Sequence, residues 1–163
     1  MSDFFYPEGV FPVSATAGCV TSNGGITFDA ISMKEAQMVY LDIHLTQAVG
    51  HATAITPLVG TVVATTGTAL PNNVEIWYGN TTTATVALAK QTAAKLFTLD
   101  VGVTGVVHLI FKIDPAACGD YDCIGGTVAN SAQATNLVSA QWLIVPRYQN
   151  KVAGNAATRF IAD

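Results

Sequence analysis

The chain is expected to fold as an all-β, antiparallel β-sandwich, jelly-roll-like, with an extended N-terminal arm and at most short helices. Three features of the sequence carry that expectation. Residues 39–46 alternate strictly, with Val39, Leu41, Ile43 and Leu45 on one face and Tyr40, Asp42, His44 and Thr46 on the other. This is the period-two pattern of a half-buried strand. Residues 106–114 repeat it, with Val107, Leu109, Phe111 and Ile113 opposite Val106, His108, Ile110 and Lys112. Between apolar runs stand Gly and Asn turn signals amid abundant threonine, the texture of a sandwich or barrel.

Along the chain, residues 1–25 read as the extended arm, because Phe4, Phe5, Tyr6 and Phe11 are spaced by Pro7 and Pro12. The arm either packs back on its own core or docks on a neighbouring subunit. Ser22-Asn23-Gly24-Gly25 marks a turn, and 26–31 is the first strand of the sandwich. Ser32-Met33-Lys34-Glu35 fits a Ser-x-x-Glu capping box and predicts a helical turn before the strand at 39–46.

Residues 54–63 form a weaker strand broken by Pro57, and 74–78 another, between the turn signals Pro71-Asn72-Asn73 and Tyr78-Gly79-Asn80. Alanine enrichment over 83–95 favours a short helix, opposed by the β-branched Thr83, Thr85, Val86 and Thr92. Strands follow at 96–99 and 106–114; the second face of the latter is also partly apolar, which predicts a central strand covered on both sides. Gly125-Gly126 reads as a turn, and 137–145 as a last strand ending at Pro146, which has no N–H for a ladder. Residues 26–150 thus make the sandwich domain and 151–163 a tail, small and polar apart from Phe160 and Ile161.

Composition narrows the function. Charged residues make up 11% of the 163, against about 25% in ordinary soluble domains. A lone domain so poor in charge would leave much uncharged surface in water, so other copies or a larger assembly are expected to cover part of it. Seven scattered basic residues and a net charge of −4 argue against a nucleic-acid partner. The least polar stretch, 52–70, is interrupted by Pro57, Gly60 and Gly67, so it reads as strand and loop rather than a membrane span. No basic region followed by an apolar stretch opens the chain, and synthesis in the cytoplasm is expected.

The chemistry-bearing residues form no recognisable centre. Cys118 and Cys123 have the spacing of a zinc half-site, but a matching second pair is missing, and buried or loop thiols are the ordinary reading. Asp42 and His44 share one strand face, with His51 beyond a turn; such a trio can approach a metal, but a solvated Asp and His on a half-buried strand is the stronger reading. Asp114, Asp120 and Asp122 gather acids on a loop without the spacing of an EF-hand. No Gly-x-Ser-x-Gly elbow, phosphate loop or dinucleotide fingerprint is present. No residue is therefore assigned a catalytic, cofactor-binding or metal-binding role, and no enzyme activity is expected. Trp77, Tyr78 and Trp142 offer rings for a sugar-binding face, but Trp142 belongs by alternation with core residues, whereas Trp77 reaches the surface. The interface candidates are Phe4, Phe5, Tyr6, Phe11 and Trp77.

The run Ile31-Ser32-Met33-Lys34-Glu35-Ala36, the segment Leu41-Asp42-Ile43-His44-Leu45-Thr46-Gln47-Ala48-Val49-Gly50-His51-Ala52-Thr53, and the closing Val138-Ser139-Ala140-Gln141-Trp142 with Val145-Pro146-Arg147-Tyr148-Gln149 resemble small virion structural proteins of tailed bacteriophages. The resemblance is greatest to head decoration, or cement, proteins. It implies a homo-oligomer, a trimer in the first instance, that contacts the phage major capsid protein on the capsid surface and binds neither nucleic acid nor membrane. A tail or connector station in the virion, or a carbohydrate-binding β-sandwich, is the alternative.

Overall fold

The alternation at 39–46 extends in both directions to give a twelve-residue strand that runs through the middle of the larger of two sheets. The computed structural model describes residues 9–81 and 87–147. Its strands are β1 (Phe11–Ser14), β2 (Val20–Thr21), β3 (Ile26–Ser32), β4 (Ala36–Gln47), β5 (Ala54–Gly60), β6 (Thr68–Ala69), β7 (Glu75–Thr81), β8 (Ala89–Lys90), β9 (Phe97–Thr98), β10 (Gly105–Ile113), β11 (Cys123–Val128) and β12 (Leu137–Pro146). Seven form one sheet in the order β1-β12-β4-β10-β7-β8, with β2 also on β12; five form the other in the order β3-β11-β5-β6, with β9 also on β5.

Every pairing is antiparallel. The successive strands β3, β4 and β5, and again β10, β11 and β12, alternate between the sheets. With β1-β12-β4-β10 in one sheet and β3-β11-β5-β9 in the other, this is the doubled Greek key of a jelly roll. The segment β6 to β8 is an insertion in that pattern, and it widens the larger sheet beyond β10 by two strands.

Between the sheets lies one core, to which Leu41 and Ile43 of β4, Leu109 and Phe111 of β10, Trp142 of β12, and Ile31 and Ile55 from the opposite sheet contribute fully buried side chains. Each such side chain stabilises the fold by about 1.5–3 kcal/mol relative to exposure. Because alternate residues of β4, β10 and β12 enter this core, their other halves must form a continuous outer face.

Several local expectations are corrected. Gly125-Gly126 is not a turn but the middle of β11, at a register shift against β3. Glycine is needed there because a Cβ on Gly126 would lie 2.8 Å from the Thr56 carbonyl and 3.0 Å from the Phe28 ring, and one on Gly125 would fall on the Thr66 hydroxyl. Tyr78-Gly79-Asn80 likewise lies inside β7, paired with Leu109, His108 and Val107. Ser32 ends β3, Met33 to Ala36 makes a tight turn closed by the Ala36 N–H on the Met33 carbonyl at 2.9 Å, and β4 starts at once, so no helix forms. In 83–95, Thr83, Thr85 and Val86 lie outside the described residues; the described remainder contains no helix and holds β8 and a bridge from Ala94 to Val74.

Pro57 does not break β5. It sits where the ladder on that side is already interrupted, between the two residues paired with β9 and the two paired with β6. Strand β10 is central, as expected, but its second face is only half-buried among the described residues. Phe11, expected in the arm, lies in β1, pairs with Ile144 and packs against the core. Phe4, Phe5, Tyr6 and the tail 151–163 lie outside the described residues.

Candidate functional site

The outer face of the larger sheet gathers the chemistry of the chain. Register places Leu143, Tyr40, Lys112 and Glu75 in one row across β12, β4, β10 and β7, and Gln141, Asp42, Ile110 and Trp77 in the next. A third row holds Ser139, His44, His108 and Gly79. Tyr40, Leu143, Ile110 and Trp77 are each half-buried, so an apolar diagonal crosses four strands. At its β12 end is an open groove of about 430 Å³, lined by Val10, Gln37, Met38, Tyr40, Lys112 and Val145.

At the β7 end, Lys90 stands over the Trp77 ring with its Nζ 5.5 Å from the centroid, a cation–π contact. Glu75 bridges two cations, bonding Lys112 Nζ at 3.0 Å and also Lys90. The hydrogen bonds from Lys90 and Lys112 hold the Glu75 carboxyl below its ordinary range, and the same contact raises Lys112. Such exposed pairs add little stability; they fix the charge pattern around Trp77.

At the centre, Asp42 is buried although it projects from the outer face. Its Oδ1 lies 2.6 Å from His108 Nε2 and 3.7 Å from His44 Nε2, and its Oδ2 accepts from Gln141 Nε2 at 2.9 Å. The two imidazoles stack, with centroids 4.1 Å apart and planes inclined by 21°.

The sequence candidates separate cleanly. Trp77 is on the outer face, whereas Tyr78 turns inward against Phe97 with its centroid 4.9 Å away, where burial raises its hydroxyl pKa. Trp142 is fully buried, and its Nε1 donates to the Asp29 carbonyl at 2.8 Å. The three rings therefore share no surface, which removes the sugar-binding face built on them. His51 does not join Asp42 and His44; its ring lies near the Thr53 hydroxyl, and its carbonyl accepts from the Gln47 side chain. His108 takes that place, because β10 pairs with β4 in a register that sets His108 opposite His44. The alternation of 106–114 already put His108 on the outward face; the pairing partner was the missing information.

Cys118 and Cys123 are buried free thiols, and burial pushes both up to about 11, so both stay protonated at neutral pH. Neither belongs to a group of metal-ligating side chains among the described residues. Asp114 accepts from the Ala116 N–H at 2.9 Å to cap a short 3-10 turn, and Asp122 pairs with Lys34 at 3.1 Å, so these acids serve their loop. No helix among the described residues is long and apolar enough to cross a membrane.

No family model and no curated protein matches the chain. Among solved structures, Peruvianin-I, a cysteine peptidase from Thevetia peruviana latex, is 10% identical over 81% of this chain and 68% of its own, with a TM-score of 0.30. A structure of infectious bursal disease virus Gt strain is 12% identical over 92% of this chain and 40% of its own, with a TM-score of 0.24. Likenesses of this degree assign neither fold nor function, and both are left to the chain's own geometry.

Proposed function

We propose that this protein is a structural component of a bacteriophage particle that decorates and stabilises the capsid through protein–protein contacts and acts without catalysis. The observation that carries the reading is the outer face of the larger sheet. Four adjacent strands present the diagonal Leu143, Tyr40, Ile110 and Trp77, edged by the Glu75, Lys90 and Lys112 charges, in a chain of which only 11% is charged. Aromatic anchors within a polar rim are the anatomy of a protein interface. Jelly rolls serve viral capsids, lectins and metal-binding barrels alike, so the fold alone does not choose among them. The half-buried, sparsely charged outer face, suited to contact with other proteins, supports the first. In this reading the protein is made in the host cytoplasm, associates with itself as a trimer and binds the major capsid protein on the virion surface.

The test is sedimentation of the purified protein alone and with capsids lacking it. Saturable co-sedimentation at a fixed ratio is expected, weakened at least about tenfold, or about 1.4 kcal/mol, by Tyr40→Ser with Trp77→Ser. A monomer that ignores capsids would overturn the reading and direct the search to the tail or connector.

A further inference from the structure

We propose that Asp42, His44 and His108 bind one divalent first-row transition metal ion, with zinc as the reference ion, on the outer face of the larger sheet. His44 and His108 are Cα partners in the β4–β10 ladder, and Asp42 lies two residues before His44 on the same face. One ligand atom from each side chain, two imidazole nitrogens and a carboxylate oxygen, fall within 4.8 Å of one another. Tetrahedral zinc with bonds of about 2.0–2.1 Å sets its ligand atoms about 3.3 Å apart. The observed separations from Asp42 Oδ1, 2.6 Å to His108 and 3.7 Å to His44, bracket that value. Side-chain rotations that lengthen one and shorten the other, each by less than about 1 Å, and that turn the two rings out of their stack so that their in-plane lone pairs converge, complete the geometry.

Two features distinguish this cluster from a solvated His–Asp pair. Asp42 is only 7% exposed, and Gln141 occupies its Oδ2, which orients the carboxylate and leaves Oδ1 to the histidines. Further, a single proton on His108 Nε2 satisfies one contact to Oδ1, whereas His44 Nε2 remains beyond hydrogen-bond distance while its ring is stacked on His108. One cation between the three atoms satisfies them together. Imidazole and carboxylate donors suit zinc, copper, nickel or cobalt; calcium and magnesium take oxygen donors. Three protein ligands leave a coordination position open on the side of His44, the more exposed of the two imidazoles, for water or a donor from outside the chain. The site stands independently of the particle reading.

The experiment uses the full chain carrying Cys19→Ser, so that the exposed thiol does not compete. After chelator treatment, zinc binding is measured by calorimetry and by metal content after dialysis. One equivalent per chain is expected, with a raised thermal midpoint. Affinity should fall at least about tenfold in His44→Gln and in His108→Gln, and by about tenfold or more in Gln141→Leu, which loses only the orienting bond. His51→Ala should bind as the parent does, and cobalt should give a visible spectrum that His44→Gln abolishes. Exposed His44 makes its variant a safe probe, with circular dichroism confirming the fold in each case. Absence of saturable zinc uptake, uptake unchanged in the His44→Gln/His108→Gln double variant, or uptake lost in His51→Ala would each overturn the proposal.

Discussion

The indole Nε1 of Trp142 donates to the carbonyl oxygen of Asp29 at 2.8 Å, which ties β12 of the larger sheet to β3 of the smaller one. The neighbouring residue, Phe28, meets the same indole edge to face, with centroids 6.5 Å apart and planes at 86°. Packing and hydrogen bonding thus converge on the largest fully buried side chain of the core.

Trp142→Phe removes the donor and part of the ring volume, and is expected to cost about 1–3 kcal/mol; Trp142→Ala should cost about 3–5 kcal/mol. Urea denaturation followed by circular dichroism measures both. Equal losses in the two variants would show that the hydrogen bond, not the volume, dominates.

Gly126→Ala should destabilise by at least about 1–3 kcal/mol, because its methyl group meets backbone at Thr56 and Pro57 that cannot give way. Gly102→Ala is the control, since nothing lies within 4 Å of a Cβ there. Its thermal midpoint should match the parent's or exceed it slightly.

The thiols give a pH dependence. In the folded protein Cys118 and Cys123 hold their protons up to about pH 11, against 9.0 for an ordinary thiol, chiefly because burial disfavours the thiolate. The unfolded chain therefore releases these protons first. The stability they contribute is fully present below pH 9.0 and is lost as the pH rises towards 11. Denaturation midpoints measured from pH 8 to about pH 11 should fall less steeply in Cys118→Ser/Cys123→Ser than in the parent. At pH 8 a thiol reagent should label exposed Cys19 rapidly and the buried pair only on unfolding.

The long strands were legible because alternation is written along a single segment. Residues 39–46 and 106–114 declare their inner and outer faces without reference to a partner, and 137–145 ends at Pro146 in the structure as in the sequence. Gly125-Gly126 misled because glycine marks both turns and places of close approach, and only the neighbours Thr56, Thr66 and Phe28 distinguish the two. Asn136 gave no signal either. It is buried, donates to Gln47 Oε1 and the Val49 carbonyl at 2.8 Å each, and accepts from the Val49 N–H at 3.0 Å, partners almost ninety residues away.

By itself, then, the sequence determined the β class, the inward and outward residues of each long strand, and a composition poor in charge. The tertiary structure alone decided which strands pair and in what register, and hence that His108 rather than His51 meets Asp42 and His44. The division has a physical cause. Which face of a strand is buried depends on that strand's own apolar pattern, whereas its partner is chosen by hydrogen bonding and burial summed over residues distant in the chain.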